Sequence, residues 1–330
     1  MAGEFLLRSK GFTIQLTDDN DLWCLEREKV NKMKRNDVLL LGASRMLNAF
    51  DIDVFEARYP RRKIANLAGA GAKSTLPVFE DIVNNTSFSG LILIDEPPEY
   101  LVVSETPQEE FIRYYYEEYS WKRYIYRNIK NIFQSRFVIF GNSVNIKNYL
   151  AMALREKRVP APNFHEIRLD RSYITTFEKT DYNKLRIYRM SQVRNWIKNG
   201  EVLPHENWCY AINSRWGELC RRFMQRGGLP VFIMMPVSAE RWELESTKMP
   251  KKLYWDQIED VLGVPTIHFK DYLELDGFRL PDTSHLPDTE REAFTENLLD
   301  VVDSIEKKQT VFSKNANSTT SKSLAAEPQA

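Results

Sequence analysis

Apolar residues fall in two rhythms along this chain, and their alternation predicts its architecture. The first is the short, mostly apolar run, continuous at 38–42 and repeated at 63–67, 90–94, 136–140, 230–236 and 266–269. Such runs read as strands buried on both faces, the pattern of a parallel sheet covered by helices. The second rhythm is helical. Over 44–59 the residues Met46, Leu47, Phe50, Val54 and Phe55 line one face, and 75–85, 211–226 and 254–262 also read as helices. Gly227-Gly228 supplies a normal helix stop. The opening order, β-α-β-α-β, is the signature of a doubly wound α/β sheet.

The middle departs from that alternation. Residues 104–135 read as helical and are dense in aromatics, as in Tyr114-Tyr-Tyr-Glu-Glu-Tyr-Ser-Trp121. A helix over 144–156 is expected after the 136–140 strand, and 157–205 has weak periodicity apart from a mixed-charge helix near 181–197. With little apolar content of its own, the stretch from about 104 to 210 reads as an insertion capping the sheet of a domain spanning 37–307. Residues 1–36 form an N-terminal arm with a charged helix at 25–33, and 288–307 closes the fold as a helix. The Ser/Asn/Thr/Ala/Lys-rich tail, 308–330, is expected to be disordered.

Composition narrows the function classes. The 330 residues carry 46 Lys and Arg against 46 Asp and Glu, so no global field recruits nucleic acid. No apolar run reaches the ~20 residues that span a bilayer, and Met1-Ala-Gly-Glu-Phe-Leu-Leu-Arg8 lacks the form of a signal peptide. Either the chain carries no address, or Met1 to Phe5 is a remnant joined to a truncated protein whose leader or anchor is missing. Membrane contact then requires an anchor that this chain lacks. Cys24, Cys209 and Cys220 have no metal spacing; a Cys209–Cys220 bridge and three free thiols are both open. No Gly-rich phosphate loop is present, and no cofactor or metal is called for.

The candidate chemistry lies at the two ends of the domain. Ser44 stands where the first strand meets its helix, at the carboxyl edge where open α/β sheets bind ligands. A serine hydroxyl needs a base, and the base an orienting acid; Asp282-Thr-Ser-His285 offers both from one turn. The plainer role for Ser44 is a helix N-cap. Gly69 and Gly71 follow the second strand, where they either bring a backbone N–H to an oxyanion or serve a turn. Asn66 precedes them and would pin that loop or touch substrate. Arg45 is an exposed first-turn residue or an anchor for an acidic substrate group. Of the other histidines, His165, His205 and His268 are assigned to packing or solvent.

Gly42-Ala43-Ser44, the Gly69/Gly71 segment and Asp282-Thr-Ser-His285 together resemble the blocks of the SGNH (GDSL-type) hydrolase superfamily, over residues 37–102 and 230–306. The resemblance implies a flavodoxin-like three-layer α/β/α sandwich and a Ser44-His285-Asp282 triad. The amides of Ser44 and Gly71, with Gly69, are then its oxyanion donors. The chain is most similar to a bacterial branch associated with the cell envelope and exopolysaccharides. That implies an extracytoplasmic setting and an acylated small molecule or polysaccharide as substrate. It departs from the family in its third block: Asp95-Glu-Pro-Pro-Glu99 stands where an oxyanion-binding Asn is expected, with Asn142 a weak substitute. Two functions follow as expectations, a serine esterase or O-acyltransferase and a non-catalytic scaffold on the same fold. The aromatic insertion is expected either to stack on sugar rings or simply to pack.

Overall fold

In the computed structural model the described residues are 2–71, 73–103, 106–141, 144, 154–155 and 164–324. Five of the apolar runs become one parallel sheet: β1 (Val38–Leu41), β2 (Ile64–Asn66), β3 (Leu91–Asp95), β6 (Leu229–Met234) and β7 (Thr266–His268), in the order β2-β1-β3-β6-β7. Every residue of β1 and β3 is buried, which is why 38–41 and 91–94 are continuously apolar rather than alternating. Register pairs Leu41 with Ile94 and Asp95 with Ile233, so the loops after β1, β3 and β6 emerge together at one edge.

Helices flank the sheet, as in a three-layer sandwich. The expected helix over 44–59 is two, Ser44–Ala49 and Ile52–Arg58, because Asp51 caps the second by accepting the Asp53 amide at 3.0 Å. Both pack with the closing helix, which runs Asp288–Leu324, past the residue-307 limit expected from composition. A second group holds Asn20–Val30, Leu76–Asn85 and Gln108–Glu117. The 211–226 helix begins earlier, at His205, and crosses a π-turn at Asn213–Gly217 before ending at Gln225. Its Trp208 and Trp216 are fully buried, and their indoles donate to the Pro98 and Leu101 carbonyls after β3.

The 136–140 run does not join the sheet. Val138–Phe140 is a 3-10 turn; the Glu4 carboxylate accepts the Val138 and Ile139 amides at 2.9 and 3.1 Å, supplying partners that a neighbouring strand would have supplied. Val138 joins Phe12 and Val144 in a small separate cluster. The weakly periodic region holds an unanticipated antiparallel hairpin, β4 (His165–Ile167) and β5 (Tyr173–Thr175), followed by the Tyr182–Asn199 helix. Asn142 and nearly all of the expected 144–156 helix lie outside the described residues. The three cysteines are free, and no helix among the described residues is long and apolar enough to cross a membrane.

Candidate active site

The turn after β1 is built for close approach. Gly42 has φ +154°, and a Cβ there would stand 2.9 Å from Met46 Cβ and 3.0 Å from Asp95 Cβ. Only glycine lets the chain pass over β3 and start a helix at once. The Gly42 carbonyl accepts from the Gly69 amide at 3.0 Å and from Gln108 Nε2 at 3.1 Å. Ser44 then opens the short helix, its carbonyl tied to Asn48 Nδ2 at 2.6 Å.

The Asp282–His285 turn is equally constrained. Thr283 holds φ +82°, a left-handed conformation costly for a β-branched residue, and its carbonyl accepts the Ser238 amide at 3.0 Å. That kink lets Asp282 Oδ1 accept the Ser284 and His285 amides at 3.1 and 2.9 Å. Oδ2 remains for His285 Nδ1, at 2.7 Å. On the far side of the ring, Nε2 is 2.8 Å from Ser44 Oγ. With the carboxylate taking the Nδ1 proton, Nε2 is left to accept from the serine hydroxyl.

Electrostatics agree with that proton arrangement. Burial is the larger influence on His285 and pushes its pKa below the ordinary histidine value, against Asp282, which favours the imidazolium. Burial would raise the Asp282 pKa, but the His285 hydrogen bond and the nearby charges of His285 and Arg189 hold it well below the usual carboxylate range. At neutral pH the pair is a neutral imidazole beside an ionised carboxylate.

Arg189, from the Tyr182–Asn199 helix, donates Nε to Asp282 Oδ2 at 2.7 Å. Nothing in the sequence around it marks that role. His165, assigned to packing from sequence, lies on β4 within electrostatic reach of His285 and Asp282; burial first, then the His285 charge, push its pKa down to about 4. Its Nδ1 meets Thr175 Oγ1 at 2.8 Å, and Thr175 in turn donates to Asn48, the residue that ties Ser44.

The other sequence candidates separate. The Gly69 amide is committed to the Gly42 carbonyl, so it serves the turn and not an oxyanion. Gly71 is exposed, with φ +73° and no atom within 4 Å of a Cβ position. Asn66 is 2% exposed and its Oδ1 accepts the Ala68 amide at 3.2 Å, so it pins the loop and does not face a ligand. Arg45 is not an exposed first-turn residue: it is 7% exposed, with Nη2 3.7 Å from Asp95 Oδ1.

The departure after β3 is buried. Glu96 accepts the Thr75 amide at 3.0 Å, and burial pushes its pKa up to about 8; burial also raises Asp95. Glu96 is tied to the Thr75 amide and Asp95 stands beside Arg45, so both carboxylates have structural partners inside the fold. Farther along the same loop, at Glu99 and Tyr100, opens a cavity of about 820 Å³ whose walls also include Arg189, Trp196, Trp208 and Glu245. Arg189 thus touches both the triad-like cluster and this cavity. No group of His, Cys, Asp and Glu suited to a metal occurs among the described residues.

No protein-family model matches the chain, and no curated protein matches it either.

Proposed function

We propose that this chain is an SGNH-type serine esterase or O-acyltransferase that cleaves or transfers an acyl group, acetyl on a carbohydrate or polysaccharide being the best fit to the resemblance. One observation carries the proposal. Ser44, His285 and Asp282, from opposite ends of the domain, stand in a hydrogen-bonded line at 2.8 and 2.7 Å. The sheet order β2-β1-β3-β6-β7 supports the flavodoxin-like form of the fold, since it is the 2-1-3-4-5 order with ligands at the carboxyl edge.

In this mechanism Ser44 Oγ attacks the ester carbonyl carbon while His285 Nε2 takes its proton. Asp282 stabilises the imidazolium. The tetrahedral oxyanion meets the amides of Ser44 and Gly71, and its collapse expels the alcohol, which His285 protonates. Water or a sugar hydroxyl, deprotonated by His285, then releases the acyl group from Ser44. An extracytoplasmic setting accompanies the proposal by family resemblance.

A fluorophosphonate probe and p-nitrophenyl acetate turnover test it against Ser44→Ala. Labelling is expected to vanish and turnover to fall by ~10⁴-fold or more. Labelling that persists in the variant would remove Ser44 from the chemistry. The scaffold reading is favoured by one observation, the buried Asp95 and Glu96 where the family places an Asn donor. It wins if the wild type neither labels nor turns over acetylated oligosaccharide.

A further inference from the structure

The Trp121–Gln134 helix is inside out. Its buried residues are polar: Arg127, Asn131 and Gln134. Arg127 donates to both Asp19 oxygens and to the Thr17 carbonyl, each at 2.8 Å. Gln134 Nε2 donates to Thr17 Oγ1 at 3.0 Å and to the Phe140 carbonyl at 2.9 Å. The inward side thus holds Arg127 and Gln134 through several hydrogen bonds, although Arg127 Nε and Asn131 Oδ1 lack partners among the described residues, and turning the helix over would strand a buried guanidinium. Outward stand Trp121, Tyr124, Ile125, Tyr126, Ile129 and Ile132, each 47–69% exposed. Phe137 and Phe140 extend the face, 42% and 50% exposed, and the adjoining Ala2–Ser9 helix adds Phe5, 76% exposed. Monomeric soluble proteins rarely leave an apolar surface of this size open to water.

Charge selects the occupant. Residues 121–140 contain Lys122, Arg123, Arg127, Lys130 and Arg136 and no Asp or Glu. Asp19 is engaged behind the helix by Arg127 and Lys130, while Lys122 and Arg136 are exposed beside the apolar face; Arg123, also exposed, lies within 4 Å of Asp21 and Glu118. Trp and Tyr favour the headgroup level of a bilayer, and basic side chains beside them favour anionic lipid. A recess of about 400 Å³ opens at the edge of this face, its walls formed by Tyr126, Ile129, Phe133 and Phe140 together with the polar Thr17, Lys130 and Gln134.

We propose that this face lies on an anionic lipid bilayer, with the Trp121–Gln134 helix parallel to the surface and its apolar ridge at the acyl boundary. The proposal is independent of the chemistry at Ser44.

Flotation of the full chain with vesicles tests it, using phosphatidylcholine alone and phosphatidylcholine with phosphatidylglycerol. The wild type is expected to float with the anionic vesicles and far less with the zwitterionic ones. Ile125→Glu/Ile129→Glu should lower the bound fraction at limiting lipid by about tenfold or more, and Lys122→Glu/Arg123→Glu by less while flattening the salt dependence. Both pairs are exposed, and an unchanged melting temperature confirms folding; the charge pair stands as the test if the other fails it. Absence of flotation with either vesicle, or equal flotation of the wild type and both variants, would overturn the proposal. A dimer in sedimentation that Ile125→Glu/Ile129→Glu dissolves, without flotation, would assign the face to a second copy instead.

Discussion

The rim that carries Ser44 and the segments that wrap it, 106–141 and 164–212, are attached by different means. The rim rests on strands whose apolar side chains, Val38 to Leu41 and Leu91 to Ile94 foremost, belong to one hydrophobic core; its stability comes mainly from area removed from water. The wrapping segments share that core through Phe111, Tyr114, Tyr173, Trp196 and Trp208, but their hairpin and long helix also dock through buried or half-buried arginines. Arg171, at the β4–β5 turn and 1% exposed, donates to both Asp18 oxygens and to the Asn66 and Ala68 carbonyls. Arg189 reaches Asp282. Apolar packing positions Ser44 and its neighbours, and charge-assisted hydrogen bonds help fasten the cover over them.

The sharpest way to separate the two regions is Asp282→Asn. An amide in place of the carboxylate disturbs the tautomer at His285 without removing volume, so ester turnover is expected to fall by ~10³–10⁴-fold with the far-ultraviolet circular dichroism unchanged. A loss of fold instead would mean that the turn is chiefly structural.

Arg171→Leu should do the reverse. It leaves Asp18 and two loop carbonyls without their partner, at a cost of about 3–5 kcal/mol in urea unfolding, while residual folded protein keeps its labelling at Ser44. If stability barely changes, arginine docking is not what holds the hairpin.

The smallest expected effect tests where the regions meet. In the wild type, turnover should rise with pH as His285 loses its proton, with a midpoint below the ordinary histidine value, and then level off. Arg189 contributes to that depression through its charge. Arg189→Gln should therefore move the midpoint to higher pH and lower the plateau by about tenfold through a less constrained Asp282. Arg189→Lys should restore most of the midpoint. An unmoved pH profile would make Arg189 a mere surface clasp.

The same contrast explains what the sequence could disclose. Strand positions such as 38–41 announce themselves because burial on both faces writes an unbroken apolar run, and Asp282 with His285 are visible because their partnership spans only three residues. Arg189 and Gln108 carry no local mark, since their partners lie 93 and 66 positions away by sequence number. The 136–140 run misleads for a related reason: it has the composition of a strand, but Glu4 takes the backbone donors that would have sought a neighbour in the sheet. Arg45 misleads as well, because a charged residue in a first helical turn normally meets water and this one meets buried Asp95.

The Gly42 carbonyl takes two donors, one from the loop after β2 and one from Gln108 of the wrapping stretch. Both of its lone pairs are thereby occupied, and the peptide plane ahead of the serine has no freedom to flip. Undocking the 108–117 segment would release one of those two clasps before anything near the imidazole was disturbed, so amide exchange at the start of the serine helix should report how firmly the cover is seated.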